Sequence, residues 1–242
     1  MILSRLHPIE EAVRSRPREI EWVLIDAGRR DRRIGELTRL CRQSGVPVRM
    51  GDRAGLDRVA RDHQGAVARI AVRGYVPEED ASAGERGRRL VLVLDGVEDP
   101  QNFGAVVRVA EGVGATVVVP ERGAAPLSDA VARSSAGAVE RVPIARTKNV
   151  RRFLDRIKEE GFRVVGLDAS GTDLYRLDLT GDLAIVLGGE GRGMRRLVRE
   201  GCDHVARLPM KGAVASLNVA AAAAAAAYEA VRQRDFSAPD VD

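Results

Sequence analysis

The chain has 242 residues, of which 45% are hydrophobic, 31% charged and only 3% aromatic, so it is ordinary globular material whose core must come from Val, Leu, Ile and Ala. It holds no run of 18 apolar residues, no apolar signal region within Met1 to Arg18, and two separated cysteines, Cys41 and Cys202, without metal-ligand spacing. Membrane, secreted, collagenous and disulfide-framework readings fall away, and a cytoplasmic protein is expected. Residues 1–75 carry 16 Arg against 10 acidic residues, net +6, whereas the remainder nets −2; lysine occurs only at positions 148, 158 and 211. The Arg fork binds phosphate in two places and stacks on bases, so an Arg-dominated segment suits nucleic acid. Genomic base composition is the competing source of arginine, but it does not explain the asymmetry between regions.

In chain order, Ile20 to Asp26 (IEWVLID) reads as a buried strand. Ile34 to Ser44 places Ile34, Leu37, Leu40 and Cys41 on one helical face, with Gly45 ending it. VPVRM and then residues 65–72, GAVARIAV, read as strands, so residues 1–75 form a small α/β unit. Residues 76–88 are polar and rich in small side chains, which predicts a linker. Four continuous apolar runs follow, at 89–96, 115–120, 162–168 and 183–189, separated by helical patterns at Asn102 to Gly112 and Val150 to Glu160. Uninterrupted apolar strands are what a parallel sheet covered on both faces requires. Residues 218–234, with eight consecutive alanines, predict a helix able to pack close to its neighbour. The fold class is thus α/β, with a second domain at 89–236 and a tail at 237–242.

Three segments carry candidate chemistry. In LDGVEDPQNFGAVVR (94–108) a buried strand ends in a polar loop and a helix opens near Asn102, with Arg108 well inside it among valines. Such an Arg is either a helix-face residue reaching solvent or a site residue at the carboxyl ends of the strands, where open sheets bind ligands. In LGGEGRGM (187–194) four glycines let main chain approach closely, yet the dinucleotide and P-loop spacings are missing and Glu190 would repel phosphate. The loop fits a ligand of cationic character such as S-adenosylmethionine, or else a plain tight turn. In LPMKGAVASLN (208–218) Ser216 and Asn218 are good helix caps that also stand near the strand ends. The histidines His7, His63 and His204 form no cluster, and His63-Gln64-Gly65 reads as a loop before a strand.

In this order and spacing the three segments resemble the signature motifs of the SpoU/TrmH family of RNA ribose 2′-O-methyltransferases, within the SPOUT class. The resemblance spans nearly the whole chain. The HQG at His63–Gly65 is similar to the L30e-like RNA-binding extension of the subgroup that methylates a guanosine of bacterial 23S rRNA; that subgroup usually has Gly before the first His, where this chain has Leu6. The resemblance implies a carboxyl-terminal trefoil knot, a homodimer with the RNA site built across its interface, and S-adenosylmethionine against Gly188, Gly189, Leu208, Met210 and Leu217, without metal. It implies Asn102, Arg108, Glu190, Ser216 and Asn218 as the catalytic group. Arg108 is the family's proposed base; because guanidinium is normally protonated, it is expected to act once an RNA phosphate and a desolvated interface position it, or purely electrostatically. Residues 1–75 are expected to capture rRNA phosphates in a salt-sensitive way. The alternatives are a tRNA guanosine 2′-O-methyltransferase and a non-catalytic RNA-binding assembly factor; a dinucleotide oxidoreductase lacks its fingerprint.

Overall fold

The computed structural model describes residues 2–71 and 74–236. The expected tail, 237–242, and Val72, expected to end a strand, lie outside the described residues. The elements run β1 (Ile2–Leu3), α1 (Leu6–Ser15), β2 (Ile20–Asp26), α2 (Arg32–Gln43), β3 (Val48–Gly51), α3 (Arg53–Val59) and β4 (Ala66–Ile70). They continue with β5 (Leu90–Asp95), α4 (Pro100–Val113), β6 (Thr116–Pro120), α5 (Asp129–Ser134), β7 (Ile144–Thr147) and α6 (Val150–Glu159). The chain closes with β8 (Arg163–Asp173), β9 (Leu183–Gly188), α7 (Arg196–Arg199), β10 (His204–Arg207) and α8 (Val219–Asp235). Two compact units result: residues 1–74 with 127–141, and residues 75–126 with 142–242.

The first unit is built on a four-stranded sheet in the order β1-β4-β2-β3, with β2 and β3 parallel and the other neighbours antiparallel. Asp31 caps α2 by accepting from Ile34 N at 3.1 Å, which starts the helix two residues before its first buried apolar side chain. Ile34, Leu37 and Cys41 then fall on the buried face, with α1 contributing Leu6, Ile9, Ala12 and Val13. Residues 127–141 belong to this unit although they lie between β6 and β7 in sequence. They are tied in by Ile2 N donating to Asp129 at 2.8 Å, by Arg141 on Glu11 at 2.5 Å, and by Arg16 paired with Glu140, both buried.

The second unit carries a six-stranded parallel sheet, order β10-β8-β9-β5-β6-β7. Strand β5 is central and every residue in it is buried, which is why its sequence shows no polar alternation. On one face α6 sets Val150, Phe153, Leu154 and Ile157 against Val91, Val93, Val118 and Val186. Each fully buried Leu or Phe contributes roughly 1.5–3 kcal/mol. On α8 the small side chains Ala223, Ala226, Ala227 and Ala230 are fully buried, and α8 lies on α4 and β9. Residues 76–88 are partly packed here: Val76 bridges to Ala145, and Ala81 is buried in a 3-10 turn over Glu78–Ser82. All six strands point the same way, so their carboxyl ends gather the loops that follow β5, β8, β9 and β10.

Candidate active site

At those carboxyl ends lies a cleft of about 600 Å³, within the range typical of small-molecule sites. One wall comes from β8. Its pairing with β10 passes from Gly166 opposite Val205 to Thr172 opposite Ala206, so residues 167–171 leave the ladder, and Leu167, Asp168 and Ala169 line the cleft. The end of β9 and the loop after it supply Gly188 to Gly193, and the end of β10 with its loop supplies Arg207, Leu208 and Met210. Residues Ala215 to Val219, leading into α8, complete the rim.

The glycines are required by backbone crowding. A Cβ on Gly188 would lie 2.2 Å from Gly193 C and Met194 N, and one on Gly189 would lie 2.0 Å from Gly96 O. The loop after β9 therefore folds back on itself and rests on the loop after β5, an approach closed to any residue with a side chain. Asp95, fully buried at the end of β5, fixes the same crossing by accepting from Arg195 N at 2.8 Å and Arg195 Nε at 2.6 Å.

Of the ten residues taken from the sequence, eight line this cleft: Gly188, Gly189, Glu190, Leu208, Met210, Ser216, Leu217 and Asn218. Asn102 stands at its edge and links two of them. Asn218 Oδ1 caps α8 by accepting from Ala220 N at 2.9 Å, Asn218 Nδ2 donates to Asn102 Oδ1 at 2.9 Å, and Asn102 Nδ2 donates to Glu190 Oε1. The three segments, more than a hundred residues apart at their extremes, are thus joined by one chain of hydrogen bonds whose direction the helix cap dictates.

Arg108 is not brought to this group. It lies on the exposed face of α4 and makes no hydrogen bond or ion pair among the described residues. Helix geometry gives the reason: six residues at 100° each turn Arg108 about 240° from Asn102. Helix α4 also begins earlier than expected, with Asp99 as cap and Pro100 in its first turn. Sequence reasoning missed Asp95, Asp168 and Arg207. The available signal was position, since each ends or interrupts a parallel strand on the ligand-bearing edge.

Asp168 accepts from Ser170 Oγ at 2.6 Å and Ser170 N at 2.9 Å and pairs with Arg199 at 2.9 Å. The Ser170 bonds, with Arg199 adding to them, hold its carboxyl below the usual carboxylate range despite partial burial. The cleft thus offers leucine, methionine and valine side chains for an apolar body and carboxylates, Asp168 and Glu190, for a cationic centre. That donor set, with the backbone cradle at Gly188 and Gly189, fits S-adenosylmethionine.

A cleft at the strand ends of a parallel α/β sheet, lined by a glycine loop bearing a carboxylate, is where open sheets of this class bind a small molecule. The model of the SpoU rRNA methylase family matches residues 89–228, and a model for RNA 2′-O ribose methyltransferase substrate binding matches residues 6–76; the chain belongs to the SpoU rRNA methylase family. The 23S rRNA (guanosine-2′-O-)-methyltransferase RlmB of Pseudomonas syringae is 39% identical over 235 residues, covering 95% of this chain and 94% of that protein. RlmB of Pseudomonas aeruginosa is 40% identical over 236 residues, covering 95% of each. Among solved structures, the SpoU methyltransferase AviRb from Streptomyces viridochromogenes in complex with AdoMet matches with a TM-score of 0.82 at 25% identity, over 98% of this chain and 91% of that one. No helix among the described residues is long and apolar enough to cross a membrane.

Proposed function

We propose that the protein transfers a methyl group from S-adenosylmethionine to the ribose 2′-hydroxyl of a guanosine in 23S rRNA. The observation that carries this is the Asn218–Asn102–Glu190 chain, which draws all three family segments to the mouth of one cleft. When bound, the sulfonium donor supplies an electrophilic methyl group and departs as a neutral thioether. The protein is left to align the hydroxyl and take its proton as the C–O bond forms. Gly188, Gly189, Leu208, Met210 and Leu217 would hold the donor's body. Asn102, Glu190, Ser216 and Asn218 would orient the ribose and its flanking phosphate, so their role is positioning.

Arg108 would act at a site completed by a second copy of the chain. Its exposed place on α4, and the exposed apolar side chains Val214, Leu217 and Tyr228 on and before α8, support a homodimer formed through this face. We further read the β9-to-α8 segment as the trefoil knot of the SPOUT class. The jump from central β9 to edge strand β10 and back to a helix lying on α4 supports this. The first unit is read as L30e-like, and the Arg excess of residues 1–75 supports its capturing rRNA phosphates. The test is transfer of labelled methyl groups to 23S rRNA and to tRNA. Label on the ribose of one rRNA guanosine is expected, and label confined to tRNA would move the substrate to the alternative.

A further inference from the structure

Two stretches of the first unit that methyl transfer does not use, Leu6-His7-Pro8 and His63-Gln64-Gly65, meet in space. Gln64 Oε1 accepts from Leu6 N at 3.3 Å, and Gln64 N donates to Ser4 O at 3.3 Å. His63 is engaged locally, its Nδ1 accepting from Gly65 N at 3.1 Å and its Nε2 lying 3.2 Å from Asp57 Oδ1. What the second stretch presents outward is therefore the Gln64 amide, whose Nε2 has no partner among the described residues.

That amide opens on a cavity of about 260 Å³ whose apolar walls are Leu3, Pro8, Ala132 and Ala136. His7, Arg33 and Arg133 stand at its rim without an ion pair among the described residues. Arg5 is also there, bonded to Asp62 at 2.7 Å; that bond, with a smaller contribution from the charge of Arg133, holds the Asp62 carboxyl below its usual range. Cations thus outnumber carboxylates around an apolar slot. The two alanines come from residues 127–141, the segment that Arg16–Glu140 and Arg141–Glu11 fasten to this unit. Ala136 holds a left-handed backbone at φ +52°, uniquely for a non-glycine among the described residues. That conformation costs about 1–2 kcal/mol and keeps a methyl group at the cavity wall.

We propose that this cavity receives one unpaired nucleobase of the RNA substrate, distinct from the nucleotide that is methylated. The inference rests on the reading of the chain as an rRNA methyltransferase. The volume falls just under the roughly 300–1,000 Å³ of drug-sized ligand sites, which suits a single planar base. The apolar walls contact the base faces, and the two Nε2 protons of Gln64 meet a carbonyl or ring-nitrogen acceptor on its edge. Arg33 and Arg133 take the phosphates on either side. Proteins read RNA sequence mainly through such splayed-out bases. An acidic peptide would satisfy the arginines but leave the amide and the apolar slot unused.

The test uses the full-length protein and a 23S rRNA fragment that it methylates, with single abasic sites scanned through the unpaired nucleotides. For the wild type, one abasic position away from the methyl acceptor is expected to weaken binding about tenfold, the worth of roughly 1.4 kcal/mol. Gln64→Glu keeps the acceptor for Leu6 N and replaces the two donors by a carboxylate oxygen. It should weaken the intact fragment similarly, abolish the penalty at that one position, and leave S-adenosylmethionine affinity and melting temperature unchanged. A flat abasic scan in the wild type, or penalties that persist undiminished in Gln64→Glu, would overturn the proposal. So would micromolar binding of a polyglutamate peptide that is lost in Arg33→Ala and Arg133→Ala. A wild type that neither binds nor methylates large-subunit rRNA refutes the methyltransferase reading itself, which differs from a protein that methylates rRNA with a flat scan.

Discussion

Replacing Asn218 by Asp inverts one end of the chain that joins the three family segments while sparing the helix it caps. Asp caps a helix as well as Asn does, so the bond from Ala220 N survives. The second carboxylate oxygen, however, now faces Asn102 Oδ1, which accepted from Asn218 Nδ2 at 2.9 Å. Asn102 can turn its amide to serve the new carboxylate, but its carbonyl oxygen then faces Glu190 Oε1 in place of the donor that bonded there. Either way one acceptor meets another, at a cost of about 1–3 kcal/mol. If the chain orients the reacting groups, that cost appears in kcat/KM as a loss of roughly 5- to 150-fold. Adding Glu190→Gln places a donor at the far end, and the three groups bond in reverse order. Methyl incorporation into rRNA by the double variant should recover most of that loss over Asn218→Asp, about 5- to 150-fold, a coupling of about 1–3 kcal/mol. Near-identical melting temperatures would confirm that α8 stays capped. Additive losses in the two single variants, or full activity in Asn218→Asp, would refute the positioning role.

Gly189→Ala drives a Cβ into Gly96 O, 2.0 Å away; overpacking of about 1–3 kcal/mol or more should lower S-adenosylmethionine affinity by about fivefold or more in calorimetry. Mixing inactive Arg108→Ala and Asn102→Ala proteins should restore roughly a quarter of wild-type activity if a two-fold dimer completes each site across its interface; no restoration would place Arg108 and Asn102 in the same subunit's site and refute completion by the partner. Asp182 accepts from Gly87 N at 2.8 Å and Arg89 N at 2.9 Å and pairs with Arg89 at 2.8 Å, both side chains being largely buried. Its removal to Ala should therefore cost about 3–5 kcal/mol in denaturant unfolding. Burial alone would raise the Asp182 carboxyl, but the bonds to Arg89 outweigh it and leave it below the usual range. Its contribution is present above the unfolded value of about 3.9 and is lost as the pH falls through the lower folded value, so Asp182→Ala should lack that part of the acid transition. Burial pushes the Cys41 and Cys202 thiols up to about 11, Asp203 adding to the effect at Cys202; native protein at pH 7.5 should resist alkylation that unfolded protein undergoes within minutes.

The continuous apolar runs at 89–96, 115–120, 162–168 and 183–189 reported their strands because β5, β6, β8 and β9 are covered on both faces. Strands β7 and β10, IART and HVAR, were not legible: each is four residues long, lies at a sheet edge and carries a charged residue that reaches out. Residues 127–141 read as part of the second unit because nothing local distinguishes them. Long-range bonds alone, the buried Arg16–Glu140 pair together with Ile2 to Asp129 and Arg141 to Glu11, reveal where they pack. The site residues were legible as types in a spacing. The direction of their hydrogen bonds was not, because it depends on which backbone N–H the Asn218 cap serves. The place of Arg108 could have been read from helical rotation once α4 was recognised.

The most direct measurement is alkaline hydrolysis mapping of 23S rRNA after incubation with the protein and S-adenosylmethionine, since a 2′-O-methyl ribose cannot attack its own phosphate. A single guanosine linkage resistant to cleavage, missing when Asn102, Glu190 and Asn218 are all replaced by Ala, is the expected result. A ladder without gaps, or methyl label recovered on a base, would contradict ribose transfer by this cleft.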